Sequence, residues 1–312
     1  MNRSKGQLQY SSSSFAYELL DFGDGRKLEN FAGRILDRPC PAARGLRRLR
    51  SSDWHFAKHV YCEHPESIWK PPVVQAPVEE AEEAWVFCWQ SIKMELRLSP
   101  FGHVGLFPEQ ISNWRWLERL VGSRRADSPL TALNLFGYTG GSTLALTSAG
   151  CHTTHVDASR PTVQWAKKNA ELSGLASAPI RWIIDDVRDF VKREAKRGHH
   201  YDIVLMDPPA YGHGTDGKGW VLERDLPNLI DDCLKLLRPH SAAFLLTGHS
   251  PIPSIEQGPL VERSWDRLAA AFSQISKHRV SLSDSTNRKL DFGFAYRLWN
   301  PASLKSEAPH PS

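Results

Sequence analysis

A doubly wound α/β protein, with a largely parallel sheet of seven strands behind a small β-rich N-terminal domain, is the fold the sequence predicts. Three observations predict it. Residues 131–157 (TALNLFGYTGGSTLALTSAGCHTTHVD) read as strand, glycine turn, helix and second strand, the opening unit of a nucleotide-binding sheet. From there to residue 298, apolar runs alternate with amphipathic segments, as in parallel strands joined by helices. The predicted strands also close on carboxylates, at Asp157, Asp186 and Asp207.

Composition sets the bounds. A chain of 312 residues suffices for one large domain and a smaller one. Its 41% hydrophobic and 24% charged residues are ordinary for a soluble globular protein. A net charge of +4 permits a nucleic-acid partner without demanding one. No apolar run approaches the roughly 20 residues that span a bilayer, and the N-terminus lacks a signal-peptide core, so no membrane partner is expected. Cys40, Cys62, Cys88, Cys151 and Cys233 are scattered, without C-x-x-C. They read as reduced thiols of a cytoplasmic protein rather than a disulfide frame or zinc site. His55, His59, His64 and Cys62 match no established ligand spacing, so no metal is expected.

Residues 1–100 make the small β-rich domain, after a Ser-rich, frayed start. Asp21-Phe22-Gly23-Asp24-Gly25 reads as a turn between strands. Residues 92–98 alternate strictly, with Ile92, Met94, Leu96 and Leu98 on one face, a half-buried strand. The acidic run 78–83 (VEEAEE) reads as an exposed turn or strand end. Arg44, Arg47, Arg48 and Arg50 form either a phosphate-contacting patch for RNA or a solvated loop.

Residues 101–300 form the sheet domain. Residues 101–110 (FGHVGLFPEQ) read as a shaped loop, and 113–121 as a helix with Trp114, Leu117 and Leu120 on one side. Strands are expected at 132–136, in a short run ending on 157, and at 181–184, 203–206, 242–247, 280–282 and 292–298, with helices at 142–149, 161–174, 187–196, 226–237 and 261–275. The glycine-rich run 212–219 (GHGTDGKG) reads as a substrate flap or a plain surface loop. Residues 301–312 read as a disordered tail.

The turn Gly137-Tyr138-Thr139-Gly140-Gly141 is G-x-x-G-G, so the dinucleotide pattern G-x-G-x-x-G fails, and no triphosphate loop occurs. Its glycines are expected to let the backbone approach a ligand closely, and the following helix to present free N–H donors. Ligands of an open α/β sheet bind outside the carboxyl ends of the strands, so the three carboxylates face one crevice. Asp157 is placed to accept from a ribose diol, Asp186 with the Val187 backbone to read an adenine edge, and Asp207 to face the reacting centre.

Taken in order, NLFGYTGGS, HVDAS, WAKKNAELSGL, DDV and IVLMDPPAYG resemble the class I S-adenosylmethionine-dependent methyltransferases. More narrowly they are similar to the family that includes bacterial large-subunit rRNA base methyltransferases, over roughly residues 101–299. The resemblance implies a Rossmann-like seven-stranded methyltransferase sheet, S-adenosyl-L-methionine as cofactor, and RNA, in particular rRNA, as partner. It places Asn134, Phe136, Tyr138, Thr139 and Gly140 along the methionine and ribose part, Asp157 and Ala158 at the ribose, and Asp186 and Val187 at the adenine. Asp207 and Pro208 fall at the transfer site, where they would orient an exocyclic amine, and Tyr211 would stack on the target base.

Three departures qualify this. Ala210 takes the place of the aromatic that strict amino-methyltransferases carry after the second proline, and Tyr211 comes one later. Cytosine C5 methylation needs a cysteine nucleophile, yet Pro209-Ala210-Tyr211 and Thr247-Gly248-His249-Ser250 hold none. The family's G-x-x-T-G-x-x-x-D-Q-R loop keeps Gln110 but has Glu109 and Ile111 for its Asp and Arg. A protein or small-molecule methyltransferase, or a non-catalytic RNA-binding relative, are the other readings these motifs leave, and the oligomeric state stays open.

Overall fold

The computed structural model describes residues 16–63, 67–70, 84–124, 128–212, 219–239, 241–249 and 259–301. The expectations for the Ser-rich start, His64, the acidic run 78–83, the tip of the 212–219 loop and the tail from 302 lie outside them. The chain divides into two compact units, Met1–Val104 with Ser283–Arg288, and Gly105–Leu282 with Lys289–Ser312.

In the first unit, β1 (Tyr17–Gly23), β2 (Arg26–Phe31), β3 (Arg34–Pro39), β4 (His59–Cys62) and β5 (Ile68–Lys70) lie side by side in that order. Neighbours are antiparallel except β3 and β4. β6 (Trp85–Trp89) and β7 (Ile92–Leu96) form a separate antiparallel pair. Ile92, Met94 and Leu96 are buried, as the alternation predicts. The turn expected at Asp21–Gly25 is shorter than that. β1 runs on through Gly23, since Asp21 is buried and its carboxylate accepts the N–H groups of Leu49 and Arg50 and the Trp54 indole.

The second unit contains α1 (Ile111–Gly122), β8 (Thr131–Leu135), α2 (Gly141–Ser148), β9 (His152–Asp157), α3 (Arg160–Leu172), β10 (Ile180–Ile184), α4 (Val187–Lys196) and β11 (Ile203–Met206). There follow β12 (Tyr211–Gly212), β13 (Trp220–Val221), α5 (Leu222–Leu234), β14 (Ala243–Gly248), α6 (Pro259–Ala270), β15 (Gln274–Ser283) and β16 (Lys289–Trp299). The predicted seven-stranded sheet is present, in the order β10-β9-β8-β11-β14-β16-β15. The first five strands are parallel and β16 is antiparallel to β14. Both faces are covered, and the central strands β11 and β14 are buried along their whole length. In β11, Val204 and Met206 join one core cluster while Ile203 and Leu205 join the other. Strand order reverses between β8 and β11, where an open sheet forms its ligand crevice.

Two helix boundaries differ from expectation by four residues or more. α5 begins at Leu222, not at 226, and carries Pro227 inside it. The helix expected over 261–275 ends at Ala270, and β15 starts at Gln274. β15 is the outermost strand, and its covered face reads Ser276, His278, Val280 and Leu282, so apolar alternation shows only at the end that was expected as a strand. No helix of the described residues is long and apolar enough to cross a membrane.

On α4, Glu194 is fully buried and accepts from Arg181 Nη1 at 2.8 Å and the Tyr201 hydroxyl at 2.7 Å, with His199 Nδ1 at 3.0 Å. Burial pushes its carboxyl up, but these partners outweigh it and hold it at about 2, below the ordinary 4.5. A lowered folded value means the cluster stabilises the fold above pH 4.5 and loses that contribution as pH falls towards about 2. Arg181 is 44% exposed, which places the effect below that of a wholly buried pair. Glu194→Gln is therefore expected to cost about 2 kcal/mol at pH 7, or roughly 4–8 °C in melting temperature. The gap should narrow as the pH approaches 2; calorimetric melts showing none at pH 7 would contradict the assignment.

Candidate active site

After β8 the chain turns sharply, with positive φ at Phe136 (56°), Tyr138 (49°) and Gly140 (90°). Two of these residues are not glycine, so their surroundings must hold the conformation. The Gly137 N–H donates to the Val156 carbonyl at 3.0 Å and the Tyr138 N–H to Asp157 Oδ2 at 2.9 Å. The Thr139 hydroxyl donates to the Gly105 carbonyl at 2.6 Å, and the Thr139 carbonyl accepts from Asn169 at 2.9 Å. The protein's own packing also requires glycine at two of these positions. A Cβ on Gly137 would lie 2.4 Å from the His155 ring, and one on Gly141 2.3 Å from the Trp114 ring.

Asn134 is buried on β8 and donates to Thr143 Oγ1, which shares a hydrogen bond of 2.9 Å with His155 Nδ1. Burial pushes His155 down to about 3, so it is neutral. Asn134 and Thr139 are thus occupied by internal partners. Phe136 stands edge-on to Trp220 (4.9 Å between centroids), and Tyr138 packs against Phe107 (5.4 Å).

Asp157 ends β9. Its Oδ2 accepts from the Tyr138 N–H and its Oδ1 from the Ser159 N–H, both at 2.9 Å. Burial raises its carboxyl above the usual range, and the two N–H groups oppose that. Each oxygen keeps a free lone pair, so the group is a paired acceptor suited to two adjacent hydroxyls. Ala158 lies half-buried in the turn to Ser159, which caps α3.

Asp186 caps α4, accepting the Arg188 N–H at 2.8 Å. Its carboxylate also takes Arg188 Nε at 3.0 Å and Nη2 at 2.6 Å. Burial pushes it up, yet Arg188 holds it below the usual carboxylate range. Arg188, which the sequence did not point to, bridges onward to Asp225 at 3.1 Å. Val187 opens α4, with its side chain in the core beside Leu133 and Phe190.

Asp207 follows β11. Oδ1 accepts the Thr247 hydroxyl at 2.6 Å and Oδ2 accepts Gln110 Nε2 at 3.0 Å. Gln110 Oε1 in turn accepts Asn113 Nδ2 at 2.7 Å, and Asn113 Oδ1 accepts Arg297 Nη2 at 2.7 Å. A guanidinium only donates and an ionised carboxylate only accepts. The chain Arg297–Asn113–Gln110–Asp207 therefore has one direction and fixes both amides. Gln110 and Thr247 are the side chains at this site that sequence reading did not assign; the Gln110 retained in its loop was the one available signal. Pro208 is buried. Tyr211 is not drawn into this cluster: it is 78% exposed on β12, opposite Val221 of β13. Trp220 Nε1 donates to the Pro209 carbonyl at 2.7 Å, and the Leu222 N–H to the Ala210 carbonyl at 3.0 Å, which ties down the backbone between Asp207 and Tyr211. Among the described residues no three His, Cys, Asp or Glu side chains gather as a metal site.

The model of the RNA cap guanine-N2 methyltransferase family matches residues 130–246. Ribosomal RNA large subunit methyltransferase K of Neisseria meningitidis serogroup B is 29% identical over 222 residues, 70% of this chain and 57% of that protein. Ribosomal RNA large subunit methyltransferase K/L of Hahella chejuensis is 32% identical over 146 residues, 46% of this chain and 19% of that protein. The chain thus spans less than two thirds of either curated relative. Among solved structures, the SAM-dependent methyltransferase of Agrobacterium tumefaciens is 33% identical with a TM-score of 0.81, covering 96% of this chain and 97% of that one. A putative SAM-dependent methyltransferase from Streptococcus mutans, at 17% identity and a TM-score of 0.69 over 92% of this chain and 76% of that one, shares the fold.

Proposed function

This chain belongs to the S-adenosylmethionine-dependent methyltransferases, and we propose that it methylates a base nitrogen of ribosomal RNA by direct in-line transfer. The observation that carries the proposal is the Asp207 carboxylate, pinned by Thr247 and Gln110 beside Pro208 at the carboxyl end of β11. The site suits the cofactor. Asp157 offers two oxygens to a ribose diol, next to Ala158. At the start of α4, Val187 supplies a first-turn N–H and Asp186 its remaining lone pair for an adenine edge. Phe136 and Tyr138 contribute rings to the methionine and ribose part, while Asn134, Thr139 and Gly140 hold the turn that presents them.

Bound S-adenosyl-L-methionine supplies a methyl group already activated as a sulfonium. The chain's task is positioning. Asp207 and the Pro208 carbonyl accept N–H bonds from an exocyclic amine, orient its lone pair, and leave the carboxylate ready for the proton the amine gives up. Tyr211, exposed beyond them, is free to stack on the base. A nitrogen target is supported by the absence of cysteine at 207–212 and 247–249; buried Cys151 is pushed up to about 12, far from a thiolate. An RNA substrate is supported by the named activities of the relatives. Incubation with methyl-labelled cofactor and either an unmodified large-subunit rRNA transcript or a protein extract tests this: label is expected in the RNA, and label in protein alone would sink it.

Gln110→Ala frees one oxygen of Asp207 and leaves the Asn113 amide unpartnered. Single-turnover transfer is expected to slow by about 10–100-fold, as losses of about 1–3 kcal/mol imply, with cofactor affinity held within about threefold. Equal losses in both would show Gln110 acting through the fold rather than through Asp207.

A further inference from the structure

The run Arg44–Arg50 in the first unit is built as a rigid display. Its backbone is fixed from beneath by the buried Asp21, whose carboxylate accepts the N–H groups of Leu49 at 3.3 Å and Arg50 at 3.0 Å and the Trp54 indole at 2.8 Å. Arg288 also pairs with Asp21 and donates to the Arg47 carbonyl at 2.8 Å. The Asp24 N–H donates to the Leu46 carbonyl at 2.8 Å, and the strand lies so close that a Cβ on Gly23 would sit 2.4 Å from Arg48 N.

This scaffold sorts the four arginines. Arg48 is turned inward, 3.8 Å over the Trp54 ring and 3.1 Å from Asp24, and Arg50 pairs with Asp53 at 3.7 Å. Arg44 and Arg47 are exposed and have no carboxylate partner among the described residues. In the same run Leu46 (41% exposed) and Leu49 (56%) face solvent, as does Phe56 (45%) at the end of the following turn. Phe56 lies against His55, ring centroids 3.9 Å apart and planes tilted by 41°. A braced loop that carries exposed guanidinium groups and apolar side chains, followed within ten residues by an exposed aromatic ring, matches what unpaired nucleic acid requires: cations for phosphates and flat faces for bases.

We propose that the loop of Arg44, Leu46, Arg47 and Leu49, with His55 and Phe56, docks an unpaired segment of the substrate RNA. The inference rests on the RNA reading above. The exposed guanidinium groups meet phosphates, and the exposed Phe56 ring, braced by His55, receives a splayed base.

The test is fluorescence-anisotropy binding of the full chain to an unmodified large-subunit rRNA transcript across a salt series. Arg44→Ala/Arg47→Ala is expected to weaken binding at least about tenfold at low salt and to flatten the slope of log affinity against log salt by about 1.4, the loss of two phosphate contacts on a single strand. Phe56→Ala should weaken binding about tenfold with the slope unchanged. Lys167→Ala/Lys168→Ala, which removes the same charge from the exposed face of α3, should do neither, and cofactor affinity should be unaltered in all three. Equal RNA affinities for the arginine and lysine double variants would overturn the docking surface. No binding by the unaltered chain would overturn the RNA reading itself, and the inference with it.

Discussion

Asp207→Ala is expected to cut methyl transfer by at least about 10²–10³-fold, the scale on which a positioned proton acceptor contributes, while cofactor affinity changes by no more than about threefold. The asymmetry follows from placement. Asp207 ends β11 and is tied to Gln110 and Thr247, whereas the groups assigned to the cofactor's ribose and adenine end β9 and open α4. Removing the carboxylate leaves a buried threonine hydroxyl and a buried glutamine amide without their acceptor, so some stability is lost, about 1–3 kcal/mol. Retained cofactor binding separates that loss from unfolding. Unchanged turnover would refute the role outright.

Asp157→Ala should instead strike cofactor affinity, by about 100-fold or more, since hydrogen bonds to a charged group contribute about 1.5–3 kcal/mol each. It also strips the acceptor from the Tyr138 and Ser159 N–H groups, loosening the turn that presents the rings. A pH dependence follows with a definite sign. Burial raises the Asp157 carboxyl above the ordinary aspartate range in the cofactor-free fold. Ribose hydroxyls need the ionised form as acceptor, so affinity should decline on acidification at a higher pH than an exposed aspartate would allow. For the free protein the same raised value means the neutral form's contribution to stability is lost as pH rises through it. Calorimetric titrations from pH 7 downward check both, and Asp157→Asn should abolish the pH dependence. An Asp157→Ala chain that binds within about threefold of the original would contradict the assignment.

What could be read in the sequence was what is encoded locally. The strand–turn–helix at 131–157, the strand ends at Asp157 and Asp207, and the α4 boundaries all sit within a few residues of their causes: apolar runs, glycines and caps. The glycines were found, but the crowding of Gly137 and Gly141 by His155 and Trp114 was not, because those rings come from other elements. Gln110 reaches Asp207 across 97 positions, and Arg297 reaches Asn113 across 184. No spacing rule links partners that far apart, so the chain that orients Asp207 became visible only in the fold. Arg188 illustrates the same limit at short range: it lies two residues from Asp186, but its role depends on Asp225 being brought alongside by α5. The early end of the last helix was missed for another reason. The covered face of β15 opens with the polar Ser276 and His278 and turns apolar only at Val280 and Leu282, so the sequence showed the strand's end but not its start.

The most direct test of the proposed activity is nucleoside mass spectrometry of large-subunit rRNA from cells with and without this protein, with Asp207→Ala as the complementing control. One N-methylated base is predicted to disappear on deletion, to return with the unaltered chain, and to stay absent with Asp207→Ala. Identical modification profiles in all strains, or a loss confined to cytosine C5, would contradict it.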